Sequence, residues 1–300
     1  MTNVISYSSC PVCGSRNIQQ ALRVTDHTVS SAFFDIYHCQ DCTARFTQDV
    51  PAEEEIGAYY QSADYVSHSD TKRGLINRLY HLVRSYTLRS KKNLVEKENG
   101  YKKGSLLDVG AGTGAFAAVM EIAGWKVTGL EPDETARANA QRNHQLTLLK
   151  LTSLYSLQNS TYDTITLWHV LEHVHQLHEY LDRFHNLLKP GGTLVIAVPN
   201  YTSGDATHYQ ENWAAYDVPR HLYHFSPQSM KVMMEKHGFK VTAFKPMWFD
   251  SFYVSMLSEK YKTGHNRLLS ALWTGCTSNI AAITNVKKCS SVIYVMKKAR

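Results

Sequence analysis

Long apolar runs are missing. No stretch of the 300 residues is apolar enough for long enough to span a bilayer. Met1 to Ser9 lacks both the charged and the apolar segment of a secretory leader. The chain is therefore expected in the cytoplasm, with no transmembrane segment and at most a peripheral membrane contact. Internal repeats and low-complexity stretches are also absent, which argues against a solenoid or a disordered tether. Neither sign of charge dominates: 32 Lys and Arg against 26 Asp and Glu give +6. That balance suits an anionic ligand as readily as nucleic acid. Cysteine is scarce, six in all, and Cys276 and Cys289 stand alone and read as packing residues. An apolar fraction of 43% at this length allows one large domain and one small one.

The other four cysteines form Cys10-Pro-Val-Cys13 and Cys39-Gln-Asp-Cys42. A two-residue spacing lets one tight turn present two sulfurs, and two such pairs can offer four thiolates to a tetrahedral Zn²⁺. Gly14 suits the first turn. Disulfides are disfavoured in a reducing compartment, and redox use is the lesser alternative. Residues 1–48 thus read as a zinc ribbon with short strands at Ala21–Val24 and Phe33–His38. So small a core depends on the metal to fold. Its few basic residues, Arg16, Arg23 and Arg45, stand among Asp26, Asp35, Asp41 and Asp49, which argues against nucleic-acid binding.

Residues 49–100 read as a helical linker or lid. A helix opens at Pro51 with Glu53, Glu54 and Glu55 in its first turn and leads to Tyr59, Tyr60 and Tyr65. A second, Lys72–Lys97, points Ile76, Leu79, Val83, Tyr86 and Leu94 inward. Arg73, Arg78, Arg84, Arg89, Lys91 and Lys92 form its other face, read as solvated, with a grip on a phosphorylated substrate or a membrane surface as the alternative.

The rest of the chain is organised around Ser105-Leu-Leu-Asp108-Val109-Gly110-Ala111-Gly112-Thr113-Gly114. A buried strand runs into three alternate glycines and a helix start. This arrangement brings backbone N–H groups close to a ligand. A second strand, Lys126–Leu130, ends at Glu131, placed to accept the two hydroxyls of a ribose. Further strands at Leu146–Leu149, Thr164–Leu167, Thr193–Ala197, Phe239–Phe244 and Ser291–Met296 alternate with helices. The fold class expected is α/β: a doubly wound, seven-stranded, Rossmann-like sheet over 101–300. Residues 200–228 and 250–284 read as cleft insertions, the latter helical.

The glycine stretch with its following Glu131-Pro resembles motif I and its successor in class I S-adenosylmethionine-dependent methyltransferases. The likeness runs from about Leu106 to Phe239. The turn Leu188-Lys-Pro-Gly-Gly192 matches one common in that class. The order of ribbon, tyrosine segment, basic helix and glycine strand resembles zinc-ribbon methyltransferases of bacterial sugar and surface-glycan pathways. Trp168-His169-Val-Leu-Glu172-His173 resembles the end of the fourth strand in such enzymes, quinone-type O-methyltransferases included. Trp213-Ala-Ala-Tyr216-Asp217-Val-Pro219-Arg220-His221-Leu-Tyr223-His224-Phe225-Ser226 looks like their segment beside the substrate.

The resemblance implies a methyl donor, S-adenosylmethionine, held by Asp108, Gly110, Gly112, Gly114, Glu131, Trp168 and His169. It also implies an acceptor met by Tyr60, Trp213, Arg220 and His224. Thr152 or Ser153 stands where relatives place an adenine contact. His221 is the first choice for a base and His169 the second, since imidazole titrates near neutrality. Read alone, His169-x-x-Glu172-His173 is also an inverse zincin pattern, but its place at a strand end disfavours a peptidase. The expected acceptor is a small molecule or glycan precursor, methylated at a hydroxyl. Rival readings are an RNA methyltransferase and a non-catalytic protein that binds the cofactor and assembles through its ribbon. An NAD or flavin site is disfavoured by the G-x-G-x-G spacing.

Overall fold

A computed structural model describes residues 3–61 and 75–299, the side chains of 75–80 excepted. The roles expected for Tyr65, Arg73, Ile76, Arg78 and Leu79 fall outside the described residues. The N-terminal part contains β1 (Val4–Ile5), β2 (Ile18–Thr25), β3 (Phe33–Cys39), β4 (Arg45–Thr47) and β5 (Val50–Pro51). β2, β3 and β4 pair antiparallel in that order, and β1 pairs with β5. The turn from β2 to β3 hangs on Asp26. Its carboxylate accepts from the backbone N–H groups of Thr28, Val29 and Ser30 at 3.0, 3.2 and 2.8 Å. A short acid side chain can satisfy a turn's own donors in this way.

Helix α1 (Leu75–Glu98) leads into β6 (Ser105–Val109), α2 (Ala115–Ile122), β7 (Lys126–Leu130), α3 (Glu134–His144) and β8 (Tyr162–Trp168). Then come α4 (Leu177–Leu187), β9 (Leu188–Pro199), α5 (Gly204–Tyr209), β10 (Tyr223–His224) and α6 (Pro227–Lys236). The chain ends with β11 (Phe239–Pro246), α7 (Asp250–Thr263), α8 (Leu268–Thr284) and β12 (Ser291–Lys298). The large sheet has the order β11-β12-β9-β8-β6-β7. β7, β6, β8 and β9 are parallel, and β12 is antiparallel to both its neighbours. Leu106, Leu107, Val109, Ile165, Leu167 and Leu194 to Val198 are all fully buried. Such apolar strands, interrupted in β6 and β8 by the mutually bonded Asp108 and Thr166 and by Thr164, are what a parallel sheet covered on both faces requires. Among the described residues no helix is long and apolar enough to cross a membrane.

Four expectations are corrected. Among the described residues the sheet has six strands: Leu146–Leu149 contributes a single bridge, Leu149 to Leu130. Leu146 and Leu148 bury their side chains with Ala117, Ala118 and Ala140, while only two backbone hydrogen bonds tie Leu149 to the sheet's edge. No helix opens at Pro51, because β1 captures Val50 and Pro51 as a strand. The Tyr59–Tyr60 segment is a 3-10 turn, Ile56–Tyr60. Tyr86 is 59% exposed rather than inward.

The fourth correction matters most. The ribbon does not end at residue 48, since β10 from far along the chain pairs with β4, Tyr223 opposite Phe46. Nor is 200–228 a cover over a cleft. Tyr209, Trp213, Tyr216 and Val218 are each 1% exposed and pack with Val24 and Ile36 of the ribbon. Burying each of these large side chains stabilises by about 1.5–3 kcal/mol, so this segment joins the two parts.

The junction also carries charge. The Arg220 guanidinium, wholly buried, donates to Asp26 at 3.0 Å and to Asp217 at 2.6 Å. Replacing one partner of a buried pair leaves an uncompensated charge, so Asp26→Ala should destabilise the protein. Arg220 keeps Asp217, so a loss of about 3 kcal/mol is expected, near the lower end for broken buried pairs. Urea unfolding would measure it, and an unchanged midpoint would refute the junction's role.

Candidate active site

The strand order reverses at β6: the chain leaves it for β7 on one side and returns to β8 on the other. Ligands bind beyond the carboxyl ends of strands at such a switch point. Two segments converge there. The glycine loop has positive φ at Gly110, Gly112 and Gly114, and α2 starts at Gly114 with no side-chain cap. Its first N–H groups therefore have no partner within the helix. A Cβ on Gly110 would lie 2.4 Å from Val170 Cγ2, whereas one on Gly112 would meet nothing within 4 Å. Glycine at 110 lets the loop touch the segment after β8; at 112 it leaves the backbone facing open space.

Glu131 is 8% exposed. Its carboxylate accepts from Gly112 N at 2.7 Å and Asp133 N at 3.0 Å. That fixes its orientation and leaves lone pairs for two further donors. Burial raises its pKa, partly offset by those two N–H bonds. Asp108 is 1% exposed and accepts from the Thr166 hydroxyl at 2.7 Å. Burial pushes its carboxyl up to about 7, against the Thr166 bond and the nearby Lys91 charge. A cationic group of a ligand placed beside this buried carboxyl would favour its ionised form and pair with it. Loop, helix end, Glu131 and Asp108 together fit S-adenosylmethionine.

Trp168 ends β8 with its ring 5.3 Å from Phe116. Lys91 lies 4.3 Å over the Trp168 ring, a cation–π contact. It belongs not to the solvated face of α1 but to this interior, where burial lowers its pKa and Asp108 and Asp250 oppose that. The lysine therefore takes an aromatic face that the sequence reading left for the donor.

His169 has φ +58° and lies between two carboxylates. Nδ1 is 3.3 Å from Glu172 Oε1, and Nε2 is 3.0 Å from Asp250 Oδ2. Burial would lower its pKa, but the two acids outweigh burial and push it up to about 10. An imidazolium held on both nitrogens cannot accept a proton at neutral pH, which corrects its assignment as a base.

His173 lies in the opposite environment. Nδ1 faces the Arg220 carbonyl at 2.9 Å and the Tyr60 hydroxyl at 3.0 Å. Burial and the neighbouring His221 push its pKa down to about 4. His221 Nδ1 faces the Ala215 carbonyl at 2.8 Å, and its Nε2 lies 4.0 Å from Asp217 Oδ2. The two rings meet edge to face at 4.6 Å. Glu172, His173 and His221 bring ligand atoms within 4.8 Å of one another. Glu172 Oε2 is buried without a hydrogen-bond partner. This trio is a donor set that a divalent cation could use.

Three expected substrate residues do not face the cleft. Trp213 is buried, its indole N–H donating to Asp205 at 2.8 Å. His224 is buried against Thr47 at 3.1 Å, and Arg220 is committed to Asp26 and Asp217. All three build the junction. Tyr60 does reach the histidine cluster. Glu172, His173, Asp250 and Lys91 were missed as site residues. Glu172 and His173 had a signal, the H-x-x-E-H spacing, but nothing near Asp250 or Lys91 in sequence marks them. The four cysteines converge as expected. Cys10 and Cys42 Sγ are 3.6 Å apart, as are Cys13 and Cys39, close to the roughly 3.8 Å edge of a tetrahedron with 2.3 Å zinc–sulfur bonds.

With this geometry in place, comparison with known proteins identifies the class. A family profile described as a methyltransferase domain matches residues 80–243, more than half of the chain. The protein belongs to that family. Among curated relatives, it is 29% identical over 146 residues to a ubiquinone biosynthesis O-methyltransferase of Rickettsia typhi, covering 46% of this chain and 58% of that protein. It is 36% identical over 114 residues to the Vibrio cholerae protein of the same name, covering 36% and 46%. The chain thus spans about half the length of these relatives. Among solved structures, the 1,6-didemethyltoxoflavin-N1-methyltransferase of Burkholderia thailandensis is 17% identical with a TM-score of 0.49. That match covers 88% of this chain and 99% of the other.

The Asp108 carboxyl gives a pH prediction. Its folded pKa, about 7, lies above the ordinary aspartate value of 3.8. Between those values the folded state holds a proton that the unfolded state has released, so stability falls as pH rises from about 4 to 7. Asp108→Asn removes that fall. Relative to the parent protein it should gain progressively, up to about 4 kcal/mol by pH 7 at 1.36 kcal/mol per unit. Parallel urea titrations across this range measure it, and a constant offset between the two proteins would contradict the shift.

Proposed function

We propose that the protein is an S-adenosylmethionine-dependent methyltransferase that acts on a hydroxyl of a small-molecule or glycan-precursor acceptor. The observation that carries this reading is the contact of Gly110 with Val170. It sets the open glycine loop against the histidine segment at the switch point. Gly112, the N-terminus of α2, Glu131 and Asp108 would hold the donor, whose sulfonium supplies an electrophilic methyl group when bound. His221 is the base, because its Nδ1 is tied to a backbone carbonyl, leaving Nε2, with the Asp217 carboxylate 4.0 Å away, to take a hydroxyl proton. Tyr60 and His173 orient the acceptor side of the same cluster. His169, clamped as a cation, positions Glu172 and Asp250. The four thiols would hold a structural Zn²⁺, consistent with a reducing, cytoplasmic compartment.

The RNA-directed alternative loses support at the ribbon. Arg23 pairs with Asp35 at 3.2 Å. Arg45 donates to Tyr216 at 2.6 Å and lies over the Tyr201 ring. Arg45 is thus spent internally, and Arg23, though its side chain is 66% exposed, is already paired with an acid. An assembly role for the ribbon meets a similar objection, since its sheet is completed by β10 and its Asp26 turn is bound to Arg220.

Calorimetric titration with S-adenosylmethionine and with its demethylated product tests the reading, with NAD as control. Micromolar binding is expected, lost about a hundredfold in Glu131→Ala, where two hydroxyl partners of a ribose disappear. His221→Ala should bind the donor normally and lose about 10²–10⁴-fold in turnover with acceptor hydroxyls. Failure of the intact protein to bind either compound would sink the proposal. About one zinc per chain, lost in Cys39→Ser, is expected by metal analysis.

A further inference from the structure

Helix α8 has a small-residue inner face and an apolar outer one. The inner face is small: Ala271, Thr274, Gly275, Ser278 and Ala282 are buried. A Cβ on Gly275 would lie 2.6 Å from Phe252 of α7, so the two helices pack closely. The outer face carries Leu269, Leu272, Trp273, Ile280 and Ile283, exposed by 85, 48, 73, 61 and 73%, with exposed Cys276 among them. At 100° per residue these six fall within an arc of about 100°. Contiguous exposed apolar faces of this kind mark interaction surfaces, whereas single exposed apolar residues do not.

The charge of the flanking sequence is of one sign. From Lys260 to Arg300 the sequence contains no Asp or Glu. Exposed Lys260 and Lys262 lie in the last turn of α7, exposed Arg267 immediately precedes α8, and exposed Lys287 and Lys288 follow its end. Glu259, just before this stretch, is buried and accepts from Tyr209 and Ser270.

We propose that α8 docks the protein on an anionic lipid surface. The helix would lie in the headgroup plane, with its apolar stripe inserted and its flanking cations on lipid phosphates. Trp273 sits in the stripe, and tryptophan favours the membrane interface. The lysine stems can lie along apolar surface while their ammonium groups reach outward. A second copy fits less well. In either orientation, pairing the stripes would bring cationic helix ends against cationic ends, with no acid in this stretch to compensate. The proposal does not depend on the methyl-transfer reading.

Co-sedimentation of the full chain with vesicles tests it. Vesicles of phosphatidylcholine with phosphatidylglycerol should bind the protein about tenfold better than phosphatidylcholine alone, and added salt should narrow the gap. Trp273→Glu with Ile280→Glu should abolish the binding while circular dichroism and melting stay unchanged. Should that variant fold poorly, quenching of tryptophan fluorescence by brominated lipid provides a second readout. It should be present in the parent protein and reduced in Trp273→Phe, which keeps the face apolar. Absence of sedimentation with anionic vesicles would overturn the proposal. So would a dimer in light scattering that the glutamate variant disperses.

Discussion

One buried guanidinium holds the architecture together. Arg220 donates to the Asp26 turn of the ribbon, to Asp217 on its own loop and to the Tyr59 carbonyl. Its own carbonyl faces His173. A buried arginine is tolerable only where its fixed fork of donors is satisfied, so these partners must arrive together. When they do, the ribbon, the tyrosine segment and the residues after β8 share one anchor, and His221, the next residue, is delivered to the cluster. The substrate segment thus works through its framework more than through direct exposure.

The second constraint is the parallel sheet. Its switch point between β6 and β8 forces two chain segments, about sixty residues apart, to leave adjacent strand ends. Gly110 permits the contact with Val170 and the Asp108–Thr166 bond braces it. Within the segment after β8, two histidines four residues apart are tuned in opposite directions. His169 faces carboxylates on both nitrogens and stays charged; His173 faces a carbonyl and a second imidazole and stays neutral. The chemistry of each ring follows from what its nitrogens meet, an environment assembled from four separate parts of the chain.

The ribbon's sheet shows how little of a small domain's stability is its own. Three short strands and four thiols are completed by β10 and by the aromatic segment that holds Tyr209, Trp213 and Tyr216. Their sequence, polar, aromatic and without period, suggests a cover over a cleft. Burial against a second unit leaves no periodic trace when the segment is built from short turns.

Local sequence determined the glycine loop, Glu131 at the end of β7, the cysteine knuckles and the central strands. Each rests on a short-range cause: positive φ, a two-residue thiol spacing or a continuous apolar run. The α/β class was legible from the same alternation, and the missing edge strand was the exception, since Leu146 and Leu148 are apolar whether they pair or merely pack. Tertiary structure alone decided which ionisable groups meet. Asp250 reaches His169 across 81 residues and Arg220 reaches Asp26 across 194. Lys91 turns from an expected solvated face toward Asp108. Such contacts depend on how the helices and ribbon close around the sheet, and no local propensity or spacing encodes them.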